Sequence, residues 1–316
     1  MSGLDAALQT CGVADCSDLG RILATGPDLL ALLHRLSTGD VKTLAPGEGR
    51  ETVITNAKGR IVERLFVHNL GNDGILLVSG PGTAARVVAH LKKFTFAEDT
   101  GLTDITESTF AAVLLGPRYA ECARALGIPE LAPFGATALV VAETKVHVAR
   151  TNGFDAEGVL VIGPRDADRK VFGALGGPTL DAHGLESWRI QKGLPASGHE
   201  LTEDYNPLEA GLREAISFTK GCYVGQEVVA RLNTYNKVSR ALVRLEFASG
   251  SPTPAVGASV LVGGIVAGAI TSAILPDGRT APIALAYMKT RELVDAAAAV
   301  QVDVNGTPFT ATIARG

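Results

Sequence analysis

The chain has no basic excess. Its 29 Lys and Arg against 33 Asp and Glu leave a net charge of -4 and a pI near 5.9. A global field for nucleic acid is therefore absent, and no direct nucleic-acid binding is expected. Aromatic residues are scarce at 5%, so packing must rest on Ala, Val, Leu and Ile. Uninterrupted apolar runs of membrane-spanning length are lacking too. The longest, 255–270, is broken by Gly257, Gly263, Gly264 and Gly268. Met1 to Gln9 shows no basic segment followed by an apolar one, so it reads as no signal peptide. The four cysteines form no C-x-x-C pair, and no histidine stands at zinc-finger spacing from them. No metal site is expected, and the cysteines read as reduced thiols of a cytoplasmic protein. Gly80-Pro-Gly82 is not followed by Lys-Ser/Thr, which excludes a phosphate loop. Ser79 and Ser217 lack an elbow motif. The six histidines are dispersed, and His147 reads as a core-edge strand residue.

What is present is enough for a sizeable core: 316 residues, 46% of them hydrophobic. Leu19 to Thr25 reads as a strand. Asp28 is placed to cap a helix over Leu29 to Leu36, and Gly39 suits a left-handed terminus. Glu51 to Asn56 and Arg60 to His68 read as a hairpin turned at Gly59. Within it Glu63, Leu65 and Val67 share one face, and Arg64, Phe66 and His68 the other. A further strand at 75–78 precedes a helix from Pro81 to Phe94. The strand-then-helix order recurs, with a strand at Phe110 to Leu115 and a helix opened by Pro117. Strands near 138–142, 146–150 and 158–162 and a helix at 166–175 follow. This argues for an α+β region. A helix from Asp181 to Lys192 carries the only tryptophan, Trp188. The irregular stretch 195–212 is long for a loop without a role in a site. After Lys237 short alternating runs take over, closing on a hairpin at Asn305-Gly306. They read as a small β-barrel. The expected division is 1–237 and 238–316.

The most distinctive stretch is Lys220-Gly-Cys-Tyr-Val-Gly-Gln-Glu-Val-Val-Ala-Arg231. It sets Cys222 between Gly221 and Gly225, ahead of a helix starting near Gly225. A helix N-terminus and the nearby Lys220 ammonium both favour thiolate over thiol. The alternative is a small, buried, inert cysteine.

This stretch resembles the K-G-C-Y-x-G-Q-E motif of the YgfZ family, folate-binding relatives of the glycine-cleavage T protein, an aminomethyltransferase. Asp18 to Asp28, Thr38-Gly-Asp-Val41, Asn56 to Arg60, Trp188 to Pro195, Asn206 to Gly211 and Ala284 to Lys289 resemble further blocks of that superfamily, so the likeness covers nearly the whole chain. It implies an interleaved folate-binding α+β region followed by a C-terminal β-barrel. It also implies tetrahydrofolate or a derivative as cofactor. Cys222 and Lys220 become candidate catalytic residues, with Gly221, Tyr223, Gly225, Gln226, Glu227 and Arg231 completing the motif. Candidate folate contacts are Glu51, Glu63, Arg64, Val78, Gly80 and Gln191, with Arg64, Lys220 and Arg231 as a basic rim for the folate tail.

The resemblance also marks departures. The Asp pair of the aminomethyltransferases falls on Glu63 and Arg64, which replaces the second carboxylate by a guanidinium. The glutamate expected at the pterin ring falls on Gln191. Three readings follow. One is a YgfZ-like accessory protein supporting iron–sulfur cluster assembly or repair and tRNA modification, with iron–sulfur proteins as clients. The second is a folate-dependent aminomethyltransferase. The third is a non-catalytic folate-binding module. One cysteine cannot hold a cluster alone, since clusters take four protein ligands as a rule.

Overall fold

The computed structural model describes residues 3–152, 158–295 and 299–314. The chain opens with α1 (Gly3–Gln9) and β1 (Gly12–Asp15). A first unit then runs β2 (Leu19–Thr25), α2 (Leu29–Leu36), β3 (Gly49–Thr55), β4 (Ile61–Asn69), β5 (Ile75–Pro81), α3 (Ala84–Lys92) and β6 (Gly101–Asp104). A second repeats that order: β7 (Thr109–Leu115), α4 (Tyr119–Ala125), β8 (Ala136–Val141), β9 (Thr144–Thr151), β10 (Gly158–Pro164), α5 (Asp168–Leu175) and β11 (Thr179–Leu180). The sheets show the same duplication. The first has the order β3-β4-β5-β2-β6, and the second β8-β9-β10-β7-β1-β11, with β1 inserted before the last strand.

Period-two alternation explains why these strands stack in layers. On β7, Ala111, Val113 and Leu115 face one cluster while Phe110, Ala112 and Leu114 face another. Leu76 and Val78 of β5 and Phe66 of β4 join the first of these clusters from the other sheet. The two sheets therefore meet face to face. Leu65, Val67 and Leu77 point the opposite way, onto the leucines of α2 and onto Val87 and Leu91 of α3. The outer face of the second sheet packs on α4 and α5 through Ala123, Val171 and Leu175.

Helix α6 (Ala182–Lys192) follows, properly capped by the Asp181 carboxylate on Gly184 N–H and ended by left-handed Gly193. A long irregular segment leads to α7 (Gln226–Thr234). Beyond it lie β12 (Arg240–Phe247), β13 (Ser259–Val262), β14 (Ile265–Ile274), β15 (Ile283–Lys289), α8 (Thr290–Asp295), β16 (Ala299–Val304) and β17 (Thr307–Ala314). Their six strands close as a barrel in the order β12-β15-β14-β13-β16-β17. The fold is thus the α+β region and C-terminal β-barrel expected from the sequence. Asn305 and Gly306 both have positive φ, as a two-residue hairpin requires.

Four local expectations need correction. Pro81 does not open a helix; it ends β5, and α3 begins at Ala84. Asp28 stands at the start of α2 but does not cap it; its carboxylate accepts from Asp99 N–H at 2.9 Å. Gly39 is not left-handed. Its lack of a side chain permits close approach, since a Cβ there would meet Glu51 O and the Thr52 side chain at 2.9 Å. Pro117 lies outside α4, which begins at Tyr119.

Candidate functional site

A cavity of about 270 Å³ opens between the first sheet, the β1–β2 turn, α6 and the segment 195–199. Each wall has a local cause. Strand alternation puts Arg64 and Phe66 on the same face of β4, and Val78 comes from the neighbouring β5. Helical periodicity puts Ala182, Leu185, Glu186 and Arg189 on the face of α6 that lines it. The β1–β2 turn contributes Asp15, Cys16, Asp18 and Leu19.

Arg64 is the cation of the β4 wall. Its guanidinium lies 5.2 Å from the Phe66 ring centroid, donates to Pro195 O at 3.3 Å and stands 3.7 Å from Glu51 Oε1. Burial pushes the Glu51 carboxyl above its ordinary range, against the pull of Arg64. Glu63 is buried on the other face. Its carboxylate accepts from Arg86 at 2.7 Å, from Ser197 Oγ and from the Arg64 N–H at 3.1 Å.

Arg189 frames the opposite side. It grips Glu186 with two hydrogen bonds of 2.8 and 2.5 Å and donates to Glu200 at 3.0 Å, Leu194 O at 2.6 Å and Ser272 Oγ at 2.8 Å. Ser272 Oγ in turn donates to Glu200 at 2.7 Å. Helix, irregular segment and barrel are tied together in this way, and all five guanidinium N–H groups are occupied. Cys16 also lines the cavity, fully buried, and burial followed by the charges of Asp18 and Asp15 keeps its thiol protonated.

The cysteine motif is held elsewhere. Among the described residues, none from Lys220 to Arg231 lines this cavity. Lys220 is 9% exposed, and its ammonium donates to the carbonyls of His34, Ser37 and Gly39 at 2.6, 2.6 and 2.7 Å. Burial pushes it down to about 8, opposed by Asp40. Val224 N–H donates to Arg35 O at 3.1 Å, and Thr55 Oγ1 donates to Val224 O at 2.5 Å. Gly225, with φ of 84°, precedes α7 at its N-cap position. Tyr223 is buried, Gln226 half-buried, and Gly221, Glu227 and Arg231 exposed. Cys222 is exposed at the surface of this turn.

Residues 3–220 match the GCVT N-terminal domain family. The chain belongs to this family. An aminomethyltransferase of Streptomyces avermitilis is 30% identical over 316 residues, covering 96% of this chain and 84% of its own length. An aminomethyltransferase of Mycobacterium leprae is 28% identical over 320 residues, covering 98% and 86%. A protein of Arabidopsis thaliana named as a chloroplastic transferase is 30% identical over 297 residues, covering 90% and 67%. The crystal structure of the glycine cleavage system aminomethyltransferase T from Bartonella henselae superposes with a TM-score of 0.83 at 20% identity, covering 99% of this chain and 87% of that one. That likeness is one of fold.

Within this GCVT-family fold the sequence-derived candidates separate. Arg64, Val78 and Gly80 line the cavity. Glu51 lies beside Arg64, and Glu63 is locked by Arg86 and Ser197. Gln191 is not among the wall residues, because two positions beyond Arg189 a helix has turned about 200°. Its carbonyl accepts from Arg244 of the barrel instead. Lys220 does not form a basic rim, since its ammonium is spent on carbonyls of α2 and the turn after it. Asp15, Asp18, Glu186 and Ser197 escaped the sequence reading. The 182-185-186-189 spacing was the available signal for Glu186; none marks the turn residues.

Among the described residues no helix is long and apolar enough to cross a membrane. Nor do they contain a cluster of three His, Cys, Asp or Glu able to hold a metal ion.

Proposed function

We propose that this chain is a folate-binding accessory protein of the YgfZ kind. Its cavity takes a folate-type molecule, and Cys222 acts at the surface on a partner. The observation that carries the reading is the Arg64 guanidinium in the cavity wall. At this position the resemblance puts the second Asp of the aminomethyltransferases. A guanidinium neither accepts a proton nor balances positive charge. A methylene passing from an amine to a folate nitrogen carries such charge in transit, so the chain retains the pocket and loses that chemistry. Glu63 gives no substitute base, held as it is by Arg86, Ser197 and a backbone N–H.

The walls suit a pteridine-like ring. Leu19, Phe66, Val78 and Leu185 offer apolar faces, and Asp15, Asp18 and Glu186 supply acceptors for amino and ring N–H groups. Arg64 offers positive charge to a ring oxygen or to the anionic tail. When bound, a tetrahydrofolate carries one-carbon units on its ring nitrogens. The exposure of Cys222 supports action on a macromolecule, and iron–sulfur proteins are the clients we propose.

A second reading, folate-dependent aminomethyl transfer, is favoured by the names of the relatives, one of them 30% identical over 96% of this chain. A reconstituted glycine-cleavage assay with tetrahydrofolate and the lipoyl carrier separates the two. The accessory reading expects no turnover above background. Sustained turnover by the purified chain establishes aminomethyl transfer instead.

A further inference from the structure

The duplicated topology puts the two sheets in strand-by-strand correspondence. Val78 on β5 lies opposite both Arg21 and Phe66, and Ile162 on β10 lies opposite both Ala111 and His147. Val78 and Ile162 hold the same place in the two units, as do Phe66 and His147. Two residues back along the same strand face, Arg64 corresponds to Lys145. In the first unit these positions wall the cavity described above. In the second they wall another, of about 460 Å³, displaced along β2 and β5 so that Leu23 and Leu76 line it. This size falls in the range of about 300–1,000 Å³ common for small-molecule sites.

The second cavity has its own polar cluster. Lys145 Nζ lies 2.7 Å from Asp73 Oδ2, and His147 Nε2 lies 3.8 Å from the same oxygen. His147 Nδ1 is buried without a partner. Burial, and after it the charge of Lys145, hold this imidazole below its ordinary pKa and favour the neutral ring, against the opposite pull of Asp73. A carboxylate acceptor, an ammonium donor and an imidazole thus stand together beside aliphatic side chains from both sheets.

We propose that this second cavity binds a flat heteroaromatic ring with a donor–acceptor edge. Asp73 accepts from ring amino or N–H groups, Lys145 donates to a ring oxygen or nitrogen, and Leu23, Leu76 and Ile162 cover the ring faces. The site is separate from the function proposed above, which uses only the first cavity.

Calorimetric titration of the full chain with pterin tests it. Two equivalents are expected. Asp73→Asn combined with Lys145→Ala weakens one of them at least tenfold and leaves the other, whereas Arg64→Ala weakens only the other. Both substituted side chains in the double variant are part-exposed, at 36% and 62%, so an unchanged melting temperature confirms that it folds. No pterin binding, or a single equivalent removed only by Arg64→Ala, overturns the proposal. So do two equivalents that the double variant leaves intact. A single equivalent sensitive to Asp73 and Lys145 but not to Arg64 upholds the second site and counts against the first.

Discussion

At the residue scale, two neighbours in one motif have opposite consequences. Lys220 satisfies three carbonyls, two of them buried and one part-buried, whereas Cys222 is exposed. Lys220→Ala leaves those carbonyls without their donor and is expected to cost about 2–4 kcal/mol. Cys222→Ala is expected to change stability by no more than about 0.5 kcal/mol. Urea unfolding of both variants measures this. The spacing of lysine and cysteine invited an account in which the ammonium activates the thiol. Nothing in the sequence showed that the ammonium would be engaged by α2, some 180 residues earlier in the chain.

His68 gives a pH dependence. It is fully buried, with Nδ1 donating to Phe134 O at 2.9 Å, and burial pushes its pKa from 6.5 down to about 4. Between those values the unfolded chain binds a proton that the folded chain does not. Stability contributed by neutral His68 is therefore present above pH 6.5 and lost as the pH falls toward 4, by about 3 kcal/mol. Burial lowers His34, His90 and His147 in the same direction. Urea midpoints from pH 7 to 4 for wild type and His68→Gln measure the share that belongs to His68, and the variant is expected to show the shallower fall.

At the element scale, the turn into α7 depends on Gly225. A Cβ there would stand 2.4 Å from Asn56 O and 2.9 Å from Gly59 Cα, on a backbone with φ of 84°. Gly225→Ala combines left-handed strain with a clash against the β3–β4 turn, for an expected loss of about 2–4 kcal/mol by thermal unfolding. The sequence made this turn legible through Gly225, because glycine adopts the positive φ found there at no steric cost. Alternation likewise revealed that Glu63 and Arg64 occupy opposite faces of β4. What it concealed was the partner of each face. Ser197 and Arg86 reach Glu63 from 134 and 23 residues away. On α6 the family pattern pointed to Gln191, while Glu186 and Arg189 occupy the face that lines the cavity.

At the scale of the whole molecule, we propose a division at 237/238 between the α+β region and the barrel. Tyr235, Asn236 and Lys237 are exposed there. Limited trypsin digestion is expected to cut first at Lys237 or Arg240. The two fragments are expected to co-elute, because Arg189 and Glu200 bind Ser272 and the Tyr205 and Tyr287 rings stack at 3.5 Å across the junction. Early cleavage elsewhere, or fragments that separate, contradicts this arrangement. The β-barrel was readable from its short alternating strands and its Asn305-Gly306 turn. Its role in bracing the cavity through Ser272 was not, since a serine within an apolar strand carries no sign of its partner.

We propose that Arg64 equips the first cavity for a folate-type ligand in place of aminomethyl chemistry. Equilibrium titration of tetrahydrofolate against wild type and Arg64→Ala tests it most directly. Saturable binding by the wild type, with one equivalent weakened at least tenfold in Arg64→Ala, is the expected result. No binding by the wild type, or no equivalent weakened in Arg64→Ala, contradicts it.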